Sequence, residues 1–203
     1  MEQENISQQQ SLAIIESMIN KAKNQFSENG FTYLLWGWVI LLCSVSQFIL
    51  QYLMHYPRHY LVWMLTWLAA LVQVIDSVKG NKKKLVKTYT DQIMGFVWLA
   101  FVVMMLLTGL LVGKALGPGQ VYVGNIIILI LYGMPTLLSG IILKFKPLVM
   151  GGTGCWILAI MANFIPHEFI VLLIAAAVII AWIIPGFLLR SRYKRQYFAA
   201  AIK

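Results

Sequence analysis

Residues 79–87 read KGNKKKLVK. Five lysines, Lys79, Lys82, Lys83, Lys84 and Lys87, fall within these nine residues, between two long apolar segments. Positive charge beside apolar spans is retained on the cytoplasmic side of a membrane, so this one loop orients every span before and after it. The composition points the same way. Of 203 residues, 60% are hydrophobic and 11% charged, against about 25% charged in soluble domains. A net charge of +9 in a soluble chain would suggest nucleic acid. Here nearly every Lys and Arg flanks an apolar run, so the expected partner of that charge is the lipid surface, with no nucleic acid. Cys43 and Cys155 lie inside apolar runs and read as small packing residues, not as a disulfide framework.

Working outward from the lysine loop, six apolar segments follow one another at 31–53, 59–78, 92–113, 121–143, 148–165 and 169–189. Each approaches the ~20 residues that carry a helix across ~30 Å of hydrocarbon. The runs lack period-2 alternation, and backbone groups cannot be left unpaired in lipid, so helices are expected and a barrel is not. The fold class read from the sequence is therefore all-α, an integral membrane protein of six transmembrane helices. Short connections pair them as three antiparallel hairpins: first with second, third with fourth, fifth with sixth. With the N-terminus inside, 14 of the 16 basic residues fall on the cytoplasmic side, leaving only Arg58 and Lys114 outside. Both termini are thus expected in the cytoplasm.

Three regions result. Residues 1–30 form a polar cytoplasmic tail and an amphipathic helix, 31–189 the six-helix transmembrane domain, and 190–203 a basic cytoplasmic tail. Between Ser11 and Ser27 the apolar residues Ile15, Met18, Ile19, Ala22 and Phe26 recur at helical spacing, with Glu16, Lys21, Lys23 and Gln25 largely off that stripe. Gly30 supplies a stop before the first span. Such a helix has two seats, flat in the headgroup layer or packed on the cytoplasmic ends of the spans or of another subunit. Trp36, Trp98 and Trp156 near the starts of the odd spans, with Tyr60, Tyr122 and Phe169 opening the even ones, form a faint threefold echo that interfacial aromatic belts also explain.

The junction Ser27-Glu28-Asn29-Gly30-Phe31-Thr32-Tyr33-Leu34-Leu35-Trp36-Gly37-Trp38 resembles one in a group of uncharacterised bacterial inner-membrane proteins, where an amphipathic helix runs into ENGxxYLxWGW. The layout of three hairpins is also similar in outline to acid-resistance membrane proteins of the HdeD type. The first resemblance implies a bacterial inner membrane as the location. Neither implies an activity or a functional residue.

Residues able to carry chemistry are sparse. No ionisable residue falls near the middle of a span, where a proton- or cation-driven transporter generally keeps one. Asp76 and Asp91 flank the lysine loop, where ion pairing or solvation is their expected role. His55, His59 and His167 all fall at the external face beside Glu168, and these four are the candidate metal ligands if the first and third external turns meet. Met150-Gly151-Gly152-Thr153-Gly154-Cys155 lacks the Lys-Ser/Thr ending of a phosphate loop. Close helix approach explains it better, as it does Gly109-x-x-x-Gly113 and Ala177-x-x-x-Ala181. Pro135 should kink the fourth span. Asn125, Thr136 and Ser139 near it, with Gln47 and Gln73 and also Gln51, Thr108 and Asn163, could line a ligand cavity or simply bond across helices. Arg190, Arg192, Lys194 and Arg195, together with the loop lysines, are the candidate contacts to anionic headgroups.

No hydrolase, metalloprotease or nucleotide-binding motif is present. The expected function is non-enzymatic, without a cofactor: an accessory or interaction protein meeting lipid, a protein partner through its N-terminal helix, or further copies of itself. A small transporter or channel for a neutral or lipid-like solute is the alternative. An externally facing metal-binding protein or a membrane enzyme ranks behind both.

Overall fold

The computed structural model describes residues 30–83, 89–115 and 121–201. These residues form helices joined by short turns, without a strand, and six of the helices are long and apolar enough to cross a membrane. The amphipathic segment and Lys84 and Lys87 lie outside the described residues.

Helix α1 (Phe31–Phe48) starts at Gly30, whose φ of 72° is left-handed, and its last turn widens into a π-helical segment, Ile49–Leu53. The second apolar rod opens as a 3-10 turn, His59–Met64, and continues as α2 (Leu65–Lys83). Helix α3 (Tyr89–Ala115) is longer than its apolar run. Asp91 sits in its first turn and Lys114 in its last, each of the sign that the helix dipole favours at that end, so polar residues extend it in both directions. Helix α4 (Val121–Ile142) contains Pro135. A tight turn through Lys144, with φ 50°, leads into α5 (Lys146–Met161), which carries Pro147 in its first turn, where a missing N–H has no consequence.

The sixth rod is built of α6 (Ile170–Val178), a π-helical segment (Ile179–Ile183) and α7 (Ile184–Ala201). Pro185, fully buried, explains the break in regularity. It has no N–H to offer the Ala181 carbonyl and its ring crowds the preceding turn, which the wider π turn accommodates. The rod also runs on as helix through the basic residues expected to form a separate tail. Arg, Lys, Gln and Ala are good helix formers, and an existing helix adds residues readily.

The sixth rod is the centre of the bundle. Some 61% of its most apolar stretch is buried, against 0% in α3 and 6% in the second rod. Small residues set the spacing around it. A Cβ added at Gly151 of α5 would lie 2.6 Å from Ala181 Cα, and one at Gly37 of α1 would lie 2.7 Å from Ile183 Cγ1. Between α4 and α5 the approach is as close: a Cβ at Gly140 would stand 2.5 Å from Val149 N, and one at Gly152 2.8 Å from Gly133 O. Ala177 and Ala181 are both buried, as close packing requires. Gly109 behaves otherwise. A Cβ there would meet nothing within 4 Å, so this glycine of the third span serves no helix contact among the described residues.

Candidate functional site

Two polar constructions stand inside the apolar bundle. The first joins α1 to the second rod. Trp36 donates its indole N–H to Gln73 Oε1, and Trp63 donates to Gln47 Oε1 at 2.5 Å. Because the two helices run in opposite directions, each contributes one tryptophan and one glutamine. Gln47 also accompanies Gln51, whose amide lies 3.2 Å from the Tyr52 hydroxyl, and the Cys43 thiol reaches Val62 O at 3.4 Å.

The second construction lies where α3, α4 and the sixth rod meet. Thr136, fully buried, donates its hydroxyl to Tyr132 O at 2.8 Å and accepts the Trp182 indole N–H at 2.9 Å. Trp182 belongs to the π segment and Thr136 follows Pro135, so one hydrogen bond links the proline-containing helix α4 to the π segment of the sixth rod. Around it the rings of Tyr33, Trp98, Phe101, Tyr132 and Trp182 pack in edge or tilted contacts at 4.7–6.0 Å between centroids. Trp98 carries contacts from α3 to α1 and to the sixth rod. Trp156, for its part, donates to Ile130 O at 3.1 Å, over Gly133. The three tryptophans of the faint threefold echo thus have three different helix partners.

The expected cavity residues are accordingly placed as follows. Gln47 and Gln73 are half-buried and engaged by tryptophans, Thr136 is engaged by Trp182, and Pro135 is buried. Ser139 is fully buried with no hydrogen-bond partner among the described residues, as is Ser44 on α1. Asn125 is half-buried near the start of α4, and Asn163 turns back to Ile160 O at 3.2 Å. The glutamines and the Thr136 group belong to different helix pairs.

The candidate metal ligands do not converge. Among the described residues no group of three or more His, Cys, Asp and Glu side chains is placed to hold a metal ion. His167 instead stacks on Tyr122, with centroids 3.8 Å apart, and His59 meets Tyr60 edge-on. His55 is exposed with a φ of 50°, and Glu168 is exposed in the first turn after Pro166. Phe48 packs on Phe169 beside them, closing α1 against the turn into the sixth rod.

At the opposite end of the bundle the basic residues gather. Arg190, Arg192, Lys194 and Arg195 are exposed on α7, with the Arg192 guanidinium 5.9 Å from the Phe145 ring centroid. Lys79, Lys82 and Lys83 continue α2 as helix. Gly30 enters at this end too, against Gly186 O. The six apolar rods and this one-ended basic cluster define a class: a multi-pass helical bundle of membrane-spanning proportions. Comparison with protein-family models, with curated proteins and with solved structures yields no match for this chain.

Proposed function

We propose that this chain is a non-enzymatic integral protein of the bacterial inner membrane, both ends cytoplasmic, acting as an accessory or interaction protein. Its spans cross as three antiparallel hairpins, and its basic end rests on anionic headgroups. The observation that carries the reading is the engagement of the polar groups inside the bundle. Gln47, Gln73 and Thr136 are each bonded to a tryptophan of a neighbouring helix. That use joins helices, whereas a solute path needs such groups facing a common space. The gathering of Lys144, Arg190, Arg192, Lys194 and Arg195 at one end supports the orientation, since basic residues stay on the cytoplasmic side.

Native mass spectrometry of the full chain released from mild detergent tests the reading. Bound lipid, further copies or a co-purified protein is the expected content. A discrete small molecule lost on Asn125→Ala would replace it with the transporter, and bound zinc lost on His55→Ala with His167→Ala would replace it with the metal protein.

A further inference from the structure

The second rod carries a tryptophan for which the bundle has no use. Trp67 is 70% exposed, and among the described residues it has neither a hydrogen bond nor a ring contact. Its depth sets it apart. Counting about 2.0 Å per residue through the 3-10 turn and about 1.5 Å beyond it, Trp67 lies ~15 Å from His59 and ~16 Å from Val78, the two ends of the span. That is the middle of ~30 Å of hydrocarbon. Tryptophan favours the membrane interfaces because its N–H needs a partner that lipid tails do not offer. Trp36, Trp63, Trp156 and Trp182 each donate that N–H to another helix. Trp98 is half-buried among other rings, and Trp38 lies only two turns from the start of α1.

Trp67 belongs to a seam. Met64, Trp67, Leu71, Val74 and Val78 recur at spacings of three, four, three and four, and they are 53–70% exposed. This is the 3.5-residue repeat along which two helices wind left-handed about each other, in membranes as in water. The seam lies on the side of the rod turned away from Trp63 and Gln73, the residues that hold it on α1. With the flanking Leu68 and Ile75 it exposes on the order of 800 Å² of apolar surface per copy, the size of one side of a stable protein interface.

Helix α3 supplies the contrast. It is equally uncovered, yet its exposed residues from Gly95 to Leu111 carry no polar side-chain atom, so lipid tails suit that face completely. On α5 the exposed Thr153 bonds back to its own helix. The Trp67 face alone asks for a hydrogen-bond acceptor at mid-depth. A second copy supplies one: in a parallel pair about an axis normal to the membrane, each seam residue meets its counterpart at the same depth, and both indoles find a neighbouring helix. We propose that two copies of this chain pair through the second rod, with the Trp67 indoles at the centre of the contact donating to backbone carbonyls of the partner, as Trp156 donates to Ile130 O within the chain. The pairing rests on the membrane-embedded interaction protein proposed above and names its partner.

Oxidative cross-linking of the full chain in inner-membrane vesicles tests the seam. Cys43 and Cys155 are buried and stay in place, and the parent chain serves as the control. Leu71→Cys and Val74→Cys should each give a disulfide-linked dimer, whereas Val72→Cys on the flank and Leu110→Cys on α3 should not. No dimer at either seam position, or equal dimer at all four, overturns the pairing. Trp67→Leu keeps an apolar side chain and removes the N–H. Two interhelical bonds, one from each copy, put the expected loss at about tenfold in the dimerisation constant, read by Förster transfer as the chain is diluted into lipid. An unchanged constant removes the indole from the contact and overturns its place at the centre. Native mass spectrometry of the parent separates this inference from the reading beneath it. Monomers holding lipid or a different protein overturn the pairing alone, whereas a discrete retained solute or zinc overturns the interaction reading itself.

Discussion

Trp63 and Gln47 form one half of a reciprocal pair of indole–amide hydrogen bonds between α1 and the second rod, and Trp36 and Gln73 form the other. Among the described residues the second rod is little covered, with only 6% of its apolar stretch buried. These two bonds therefore fix its register along α1, because sliding by one turn breaks both.

Disrupting either pair should loosen the second rod measurably. Hydrogen bonds between helices in lipid average about 0.6 kcal/mol and reach about 1.7 kcal/mol. In a double-mutant cycle, Trp63→Phe with Gln47→Leu should show a coupling in that range by thermal or denaturant unfolding in micelles. The Trp36–Gln73 cycle should do the same, and the two should add, being separated along the helices. A coupling of zero in both would show that packing alone holds the rod.

Gly140 and Gly109 should respond oppositely to alanine. At Gly140 the new Cβ would stand 2.5 Å from Val149 N, a backbone atom that cannot turn aside. Forcing α4 and α5 apart should cost about 1–3 kcal/mol, or more. At Gly109 the Cβ enters open space, and the gain in helix propensity should leave stability unchanged or raised by up to about 1 kcal/mol. Comparing the two melting temperatures decides it, and a Gly109→Ala variant that melts or dissociates earlier would mark that glycine as a contact between copies.

Thr136→Val should be worse than its size suggests. The substitution keeps the volume but removes the acceptor for Trp182, leaving a buried indole N–H unpaired at a penalty of about 1–3 kcal/mol. Trp182→Phe should lose more, since it also empties space among Trp98, Tyr132 and the π segment. Unfolding free energies of the two variants give the order, and a Thr136→Val protein as stable as the parent would show the indole satisfied elsewhere.

Gly30→Ala tests the anchoring of the first helix on the sixth. The residue would be held at a φ of 72° with its Cβ against Gly186 O. Left-handed backbone alone costs about 1–2 kcal/mol for an L-residue. The expected outcome is faster proteolysis near the junction at unchanged helix content by circular dichroism. Equal proteolysis of the two proteins would mean that the contact contributes nothing to holding the chain there.

The six helices were legible because length and apolar content alone decide them, and the rod boundaries from 31 to 78 agree to the residue. Beyond that, periodicity fails. Helices that are apolar all round give no stripe to say which face is inside, so the central position of the sixth rod was not readable. Nor was the pairing of Trp36 with Gln73, because an interfacial belt predicts the same tryptophans. Pro185 and Gly140 did carry a signal: a proline in an apolar helix asks for a distorted turn, and a glycine facing a tight connection asks for a close neighbour. The small residues Gly151, Gly152, Ala177 and Ala181 were readable as contacts, while Gly109 matched the same spacing without a contact among the described residues. Spacing identifies a surface able to pack, and the partner is fixed elsewhere in the chain.

The rod that encloses least solvent is also the one translated after the other five. While α1, α4 and α5 emerge, the faces that will close on Trp182 and Ala181 do not yet have the sixth rod to meet. Loss of the sixth rod, by truncation or a stalled ribosome, would leave those helices without a common interior.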